Sequence, residues 1–272
     1  MTETKAHARN RVLLVGLALL LSFWITRVIA LDAFPPFVDE SFHVGFAERI
    51  AATGGVLAHA DEGRVFTIWW YLLFQPYVGG AVWLARVVTV LAVLPGFAAI
   101  VATGRLAAGL WGGLLAGLFY LFSTYHMFFE RLALADPVSG AAVSVGFYCA
   151  YRLSRRLGWR DALLAGLALF VAFGAKISAL PYLGIPLAAA LTLGPHTYGW
   201  RQRGLWAVVA LVSGLALTLA LIGVTALRGY DIFFYLRHSR TGDSSLLLLD
   251  RIQANIPANI ATMRDIMLAY LG

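Results

Sequence analysis

Two adjacent carboxylates, Asp39 and Glu40, follow a Pro-Pro pair just after the first apolar stretch of the chain. His43 comes four residues after Asp39, so a helix beginning here would place both on one face. Only 13% of the 272 residues are charged, which makes such a concentration unusual. One acid can cap the helix that follows and match its dipole. A single cap needs only one carboxylate, so the other acid is a candidate general base.

A third acid, Asp136, directly precedes Pro137. Asp before Pro favours an N-cap and first helical turn, which does not exclude catalysis. Lys176 lies near the outer end of an otherwise apolar segment, where it either snorkels to the interface or faces an internal cavity. Arg86 and Arg27 offer the same alternatives, and for Arg27 we favour a simple interfacial anchor.

Acids and cations that converge on one membrane face suit transfer from a lipid phosphate. A carboxylate can remove the proton from an attacking hydroxyl, and cations or a metal can stabilise the phosphate that leaves. Asp39, His43 and Asp136 are the candidate ligands for a divalent ion such as Mg²⁺ or Mn²⁺, although two such residues in one turn do not define a metal site.

The composition predicts an integral membrane protein. The chain is 60% hydrophobic, with a mean hydropathy of +0.78. A bilayer core requires about 20 mostly apolar residues per helix. We predict an all-α, polytopic transmembrane helical bundle with about seven spans, of which the sixth is the shortest. The apolar runs are 12–31, 81–102, 106–125, 138–151, 162–182, 183–193 and 205–227.

The charge distribution predicts the orientation. With a cytoplasmic N-terminus, the basic residues fall in the inner loops and most acids in the outer ones, as the positive-inside rule requires. The net charge of +7 therefore reflects topology, and no basic patch interleaved with aromatic residues suggests nucleic acid. The single cysteine, Cys149, excludes an intrachain disulfide. We expect the long outer loop at about 32–80 to contain short interfacial helices, the first ending at Thr53-Gly54-Gly55.

In these elements the chain resembles the GT-C superfamily of membrane glycosyltransferases, especially the branch with protein O-mannosyltransferases and the lipid A aminoarabinose transferase. The resemblance covers nearly the whole chain, as four elements in order. They are Asp39-Glu40 through Gly54, Ala85-Arg86-Val87-Val88, Arg131 through Asp136, and Leu164-Ala165-Gly166 through Lys176. Many relatives carry Lys-Pro or His-Pro-Pro later in the first loop, whereas this chain has Gly63-Arg64-Val65-Phe66.

The resemblance implies a polyprenyl-phosphate-linked sugar as donor and a hydroxyl of a protein, lipid or glycan as acceptor. The reaction would invert the anomeric centre at the periplasmic or extracellular face of the plasma membrane. Asp39 matches the catalytic acid of the family and Asp136 the second acid. The candidate substrate-binding residues are Glu40, His43, Arg64, Arg86, Arg131 and Lys176. Residues 1–272 would be the N-terminal part of the transmembrane domain, and we expect the protein to continue beyond them.

Two alternatives remain at this point. Intramembrane charges also mark permeation paths, so a polytopic transporter would share much of this composition. Its expected signs, paired broken helices or an inverted repeat, are not visible in the sequence. The other alternative is a non-catalytic membrane scaffold with the same fold.

Overall fold

Long apolar helices dominate the fold. The computed structural model describes residues 2–33, 35–75, 81–194 and 198–235, and in these ranges every regular element is helical. Residues 1–233 form one compact unit. Among the described residues, three helices are long and apolar enough to cross a bilayer: α1 (Thr2–Val28), the α4 segment (Ala81–Phe122) and α9 (Trp200–Leu227). These helices indicate a membrane protein, as the composition predicts.

The α4 segment is a helical hairpin. Ala108 and Gly109 leave the helical conformation, and Gly109 has a φ of 70°. Gly104 and Gly112 pack so closely that a Cβ added at Gly104 would lie 2.4 Å from the Gly112 carbonyl oxygen. Residues 81–107 and 110–122 are therefore two arms that run back to back. They correspond to the separate apolar runs predicted at 81–102 and 106–125.

The remaining long helices pack around this hairpin. α6 (Ala135–Arg156) lies between α4 and α7 (Trp159–Ala175), and α7 also packs against α9. Gly166 and Gly214 allow the α7 and α9 backbones to approach closely, as small residues do between membrane helices.

The segment between α7 and α9 contains two kinds of helix. A 3-10 helix, Ile177–Gly184, leads directly into α8, Ile185–Thr192. With eight residues, α8 is too short to cross a bilayer. The run 183–193 is therefore not a span by itself, and the run 162–182 divides at Lys176, where α7 has ended.

The first long loop contains two helices, α2 (Val38–Thr53) and α3 (Val65–Leu72), with a 3-10 turn at Ala60–Glu62. α2 ends at Gly54, which has a φ of 74°, as its sequence predicts. Phe46 and Ile50 are buried against Ile68 of α3 and Ala85 of α4, whereas Phe42 is exposed. This cluster fixes the two loop helices on the beginning of α4. Another short helix, α5 (Thr124–Phe129), precedes α6.

Most of the segment that follows α9 lies outside the described residues, including the stretch from Ile266 onward, whose sequence favours the start of another helix.

Candidate functional site

Glu40 organises the start of α2. Its carboxylate accepts hydrogen bonds from the Phe37 amide (2.7 Å) and the Ala133 amide (2.7 Å), and it forms a salt bridge with Arg86. Burial alone would raise the pKa of this carboxyl, but the Arg86 guanidinium and the two amides hold it below its usual value. The helix cap predicted for one acid of the pair is therefore supplied by Glu40.

Arg86 completes this buried contact. Its guanidinium donates to both oxygens of Glu40 (2.8 and 2.7 Å) and to the carbonyls of Leu31 and Pro35. Glu40 has no exposed surface and Arg86 is 1% exposed. The sequence predicts substrate contacts for both residues, but their surroundings give them a different role. They are positioning residues that join the beginning of α4 to the beginning of α2.

Asp39 stands in contrast to its neighbour. The carboxylate is half-buried, and it has no hydrogen bond or ion pair with the described residues. Because Glu40 and Arg86 fix the first turn of α2, Asp39 is held in place without an ion-pair partner among the described residues. It is the acid of the pair whose proton-accepting capacity is not already used by the fold.

His43 links α2 to the segment before α6. The Nδ1–H donates to the Ala133 carbonyl (2.8 Å), and Arg64 Nη1 donates to Nε2 (2.7 Å), which assigns the tautomer. Burial lowers the pKa of His43 to about 4; the positive charge of Arg64 acts in the same direction, against the Ala133 carbonyl and the charges of Asp39 and Asp136. The imidazole is therefore neutral at physiological pH.

These contacts do not favour a metal at His43, because both of its ring nitrogens are engaged. Across the described ranges, no group of three or more His, Cys, Asp or Glu side chains could hold an ion. The divalent-metal option raised by Asp39, His43 and Asp136 gains no support from this arrangement.

Asp136 and Lys176 form an ion pair at 2.5 Å. Leu134 is the N-cap of α6, so Asp136 lies in its first turn and the predicted N-cap position is wrong by two residues. Lys176 is the C-cap of α7. Half of the Asp136 side chain and 30% of that of Lys176 are exposed, so the pair remains accessible to a ligand. Lys176 thus pairs with an acid instead of snorkelling alone.

Arg64 is positioned through the glycine before it. Gly63 has a φ of 66°, and its carbonyl accepts a hydrogen bond from the Ile177 amide (3.0 Å). This contact holds the beginning of α3 against the residue that follows Lys176. Arg64 is half-buried and places its positive charge beside His43.

Arg131 contacts the end of α1. Its guanidinium donates to the carbonyls of Ile29 and Ala30 at 2.6 Å each. Ala30 has a φ of 52°, an uncommon conformation for a residue with a Cβ. Arg131 therefore stabilises the turn that leaves α1, and this contact competes with its predicted role as a substrate ligand.

Arg27 is not an interfacial anchor. It is fully buried, with a salt bridge to Glu130 (2.9 Å) and hydrogen bonds to the Tyr120 and Leu121 carbonyls. The Tyr120 hydroxyl also donates to Glu130. The sequence could not reveal this role, because Glu130 lies far from Arg27 along the chain.

Two cavities border α6. The smaller, about 270 Å³, is lined by α5, α6 and the 3-10 helix, with Asp136 and Lys176 in its wall. We call it the α5–α6 cavity. The larger, about 970 Å³, is an apolar groove whose lining includes Trp69 of α3, Pro95 of α4, Val145 of α6 and Leu167 of α7. Three residues that line the smaller cavity were not predicted from the sequence: Tyr125, His126 and Tyr182. Their only signal was a polar or aromatic side chain in a short segment beside a long helix.

No protein-family model, no curated protein and no solved structure matches this chain.

Proposed function

We propose that this chain is the membrane-embedded catalytic part of a GT-C-type glycosyltransferase. It would move a sugar from a polyprenyl-phosphate donor to an acceptor hydroxyl at the outer face of the plasma membrane. The observation that carries the proposal is the clamp on Ala133, whose amide binds Glu40 and whose carbonyl binds His43. This clamp ties the segment that leads to Asp136 onto the helix that carries Asp39.

The proposed reaction is a single displacement. The acceptor oxygen attacks the anomeric carbon while Asp39 accepts the hydroxyl proton. The bond between the anomeric carbon and the phosphate oxygen breaks, and polyprenyl phosphate leaves with the bonding electrons. Arg64 and Lys176 supply positive charge for this phosphate, and Asp136 orients Lys176. Attack from the opposite side of the sugar inverts the anomeric centre.

The apolar groove supports a lipid-linked donor. It is lined by α3, α4, α6 and α7 and includes Val56 of the outer loop and Arg152 near the inner end of α6. A groove of this composition in a membrane protein suits a hydrocarbon chain better than a free sugar nucleotide.

The proposal keeps seven spans and takes the 3-10 helix and α8 together as one crossing. Their 16 residues, eight of each kind, reach about 28 Å at rises of about 2.0 and 1.5 Å. With the two arms of α4 and with α1, α6, α7 and α9, this gives seven crossings. Asp39, Asp136 and Lys176 then share the outer face, with the N-terminus inside.

The test is transfer by the purified full chain in proteoliposomes, with labelled polyprenyl-phosphate sugars and a panel of hydroxyl acceptors. We expect labelled acceptor and stoichiometric release of polyprenyl phosphate. Movement of the labelled compound across the bilayer without a new glycosidic bond would instead identify a transporter. Failure to bind any donor would identify a scaffold.

A further inference from the structure

The α5–α6 cavity combines aromatic walls with hydroxyl groups. Tyr125 and His126 of α5 and Tyr182 of the 3-10 helix contribute rings, and Ser178 contributes a hydroxyl. Its volume of about 270 Å³ is the scale of one small polar molecule, below that of most drug-sized ligand pockets. A single monosaccharide is a molecule of this size and chemistry.

Several hydroxyls in this cavity are available to a ligand. Tyr125, Ser178 and Tyr182 form no side-chain hydrogen bond within the described ranges. Tyr125, Asp136 and Tyr182 line the same cavity, and burial, together with the negative charge of Asp136, raises the pKa of the Tyr125 phenol. Two phenols beside a carboxylate provide both donors and acceptors, as the hydroxyls of a sugar require.

The charges around the cavity compensate one another. Asp136 pairs with Lys176 at its wall, and Glu130 pairs with the buried Arg27. His126 binds Ser123 Oγ through Nδ1 (2.8 Å), and burial, with the charge of Arg27, lowers the pKa of the imidazole, so it is neutral. A charged group on the sugar itself would find these charges already paired with each other, so it would lose hydration without gaining a counter-ion.

We infer that the α5–α6 cavity binds the sugar of the lipid-linked donor and selects an uncharged monosaccharide over an amino sugar or a uronic acid. The inference rests on the proposed function, because the donor is the source of that sugar. The Tyr125 and Tyr182 phenols hydrogen-bond its hydroxyls. The Asp136–Lys176 pair contacts the ring without being separated.

The experiment compares binding of four probes to the full chain in lipid nanodiscs. They are polyprenyl phosphate without a sugar, and polyprenyl phosphates that carry a neutral hexose, an amino pentose or a hexuronic acid. We expect the neutral-hexose donor to bind about tenfold more tightly than either charged donor. Tighter binding of the amino-pentose or hexuronic acid donor would overturn the inference.

A double variant tests whether the two phenols bind the sugar. The double substitution Tyr125→Phe and Tyr182→Phe should weaken binding of the neutral donor about tenfold, the sum of two ordinary hydrogen bonds. Binding of the sugar-free carrier should not change, and Tyr198→Phe, in the segment before α9, should leave both affinities unchanged. Wild-type affinity of the double variant for the neutral donor would contradict the inference. Binding of a neutral donor that is never transferred would contradict the proposed function alone.

Discussion

Asp39 and Glu40 are neighbours in the chain, but their carboxylates have different surroundings. Successive residues of an α-helix point about 100° apart, so the two acids of α2 cannot face the same partner. Glu40 is turned toward Arg86 and the Ala133 amide, whereas Asp39 has no such partner in the described residues. The difference explains why one acid maintains the fold and the other is the better candidate for proton transfer.

His43 makes stability depend on pH. An unfolded imidazole binds a proton below pH 6.5, whereas folded His43 does so only below about 4. The unfolded state therefore binds more protons in this window, and the free energy of unfolding falls as the pH drops from 6.5 to 4. The difference corresponds to about 3 kcal/mol. Glu40, whose pKa is lowered, loses its contribution only below 4.5.

Thermal melting in detergent across this pH range checks the expectation. The substitution His43→Asn keeps a donor for the Ala133 carbonyl but cannot be protonated, so its melting temperature should fall less on acidification. His59→Asn is the comparison, because His59 is less buried and its removal should change the pH slope less. Parallel melting curves for wild type and His43→Asn would contradict the neutral buried imidazole.

The candidate site residues could be selected from the sequence, but the residues that they contact could not. Asp39, Asp136 and Lys176 stand out because charges are rare in an apolar chain. That Glu40 binds Arg86, and that Arg27 binds Glu130, depends on contacts between distant segments. An isolated arginine in an apolar run looks the same whether it snorkels or is buried, so the sequence favoured the wrong role for Arg27.

At the scale of elements, the junction of α3 with the segment after α7 positions two of the candidate cations. Gly63 joins them through the hydrogen bond of its carbonyl to the Ile177 amide. Its φ of 66° disfavours any residue with a Cβ, and an added Cβ would lie 2.8 Å from Ile177 Cδ1. Arg64 follows immediately, and Lys176 immediately precedes Ile177.

Gly63→Ala should therefore lower the melting temperature and weaken donor binding. The left-handed backbone alone costs about 1–2 kcal/mol, and the contact with Ile177 adds to it. Gly45→Ala is the matched control: Gly45 lies inside α2 with no atom within 4 Å of an added Cβ, and alanine favours the helix. A Gly63→Ala variant as stable as wild type would show that this junction is not rigid.

Element boundaries were predictable where local chemistry sets them. The end of α2 at Gly54 and the two apolar runs within α4 follow from glycine and hydropathy. The division at Lys176 was not predicted, although Pro181 in the 3-10 helix is a local signal against a continuous α-helix there. The hydrogen bond from the Ile177 amide to the Gly63 carbonyl then joins this segment to the beginning of α3. The short α8 was not predicted either, because its eight apolar residues resemble a fragment of a longer span.

At the scale of the whole molecule, the proposed reaction requires Asp39 and Asp136 to lie on the outer face of the membrane. Labelling tests this in the Cys149→Ala background, which removes the chain's only cysteine. We expect a membrane-impermeant maleimide to label Glu48→Cys in intact cells. It should label Arg105→Cys and Gln202→Cys only after permeabilisation, because both exposed positions lie at the inner ends of helices in the proposed topology. Labelling of Arg105→Cys in intact cells would contradict the seven-span arrangement.

In the proposed reaction, Asp39 is the base for glycosyl transfer. Asn has the size of Asp and keeps a hydrogen-bonding oxygen, but it cannot accept the proton. Asp32→Asn is the matched control, because Asp32 is an exposed acid of the same outer loop that lies before α2.

The most direct test measures single-turnover transfer and donor affinity for Asp39→Asn in the full chain. If Asp39 is the general base, the transfer rate of Asp39→Asn falls by about 10²–10⁴, which is the usual contribution of such a base. Its donor affinity stays unchanged, and Asp32→Asn transfers at the wild-type rate. Transfer by Asp39→Asn at the wild-type rate would contradict this role of Asp39.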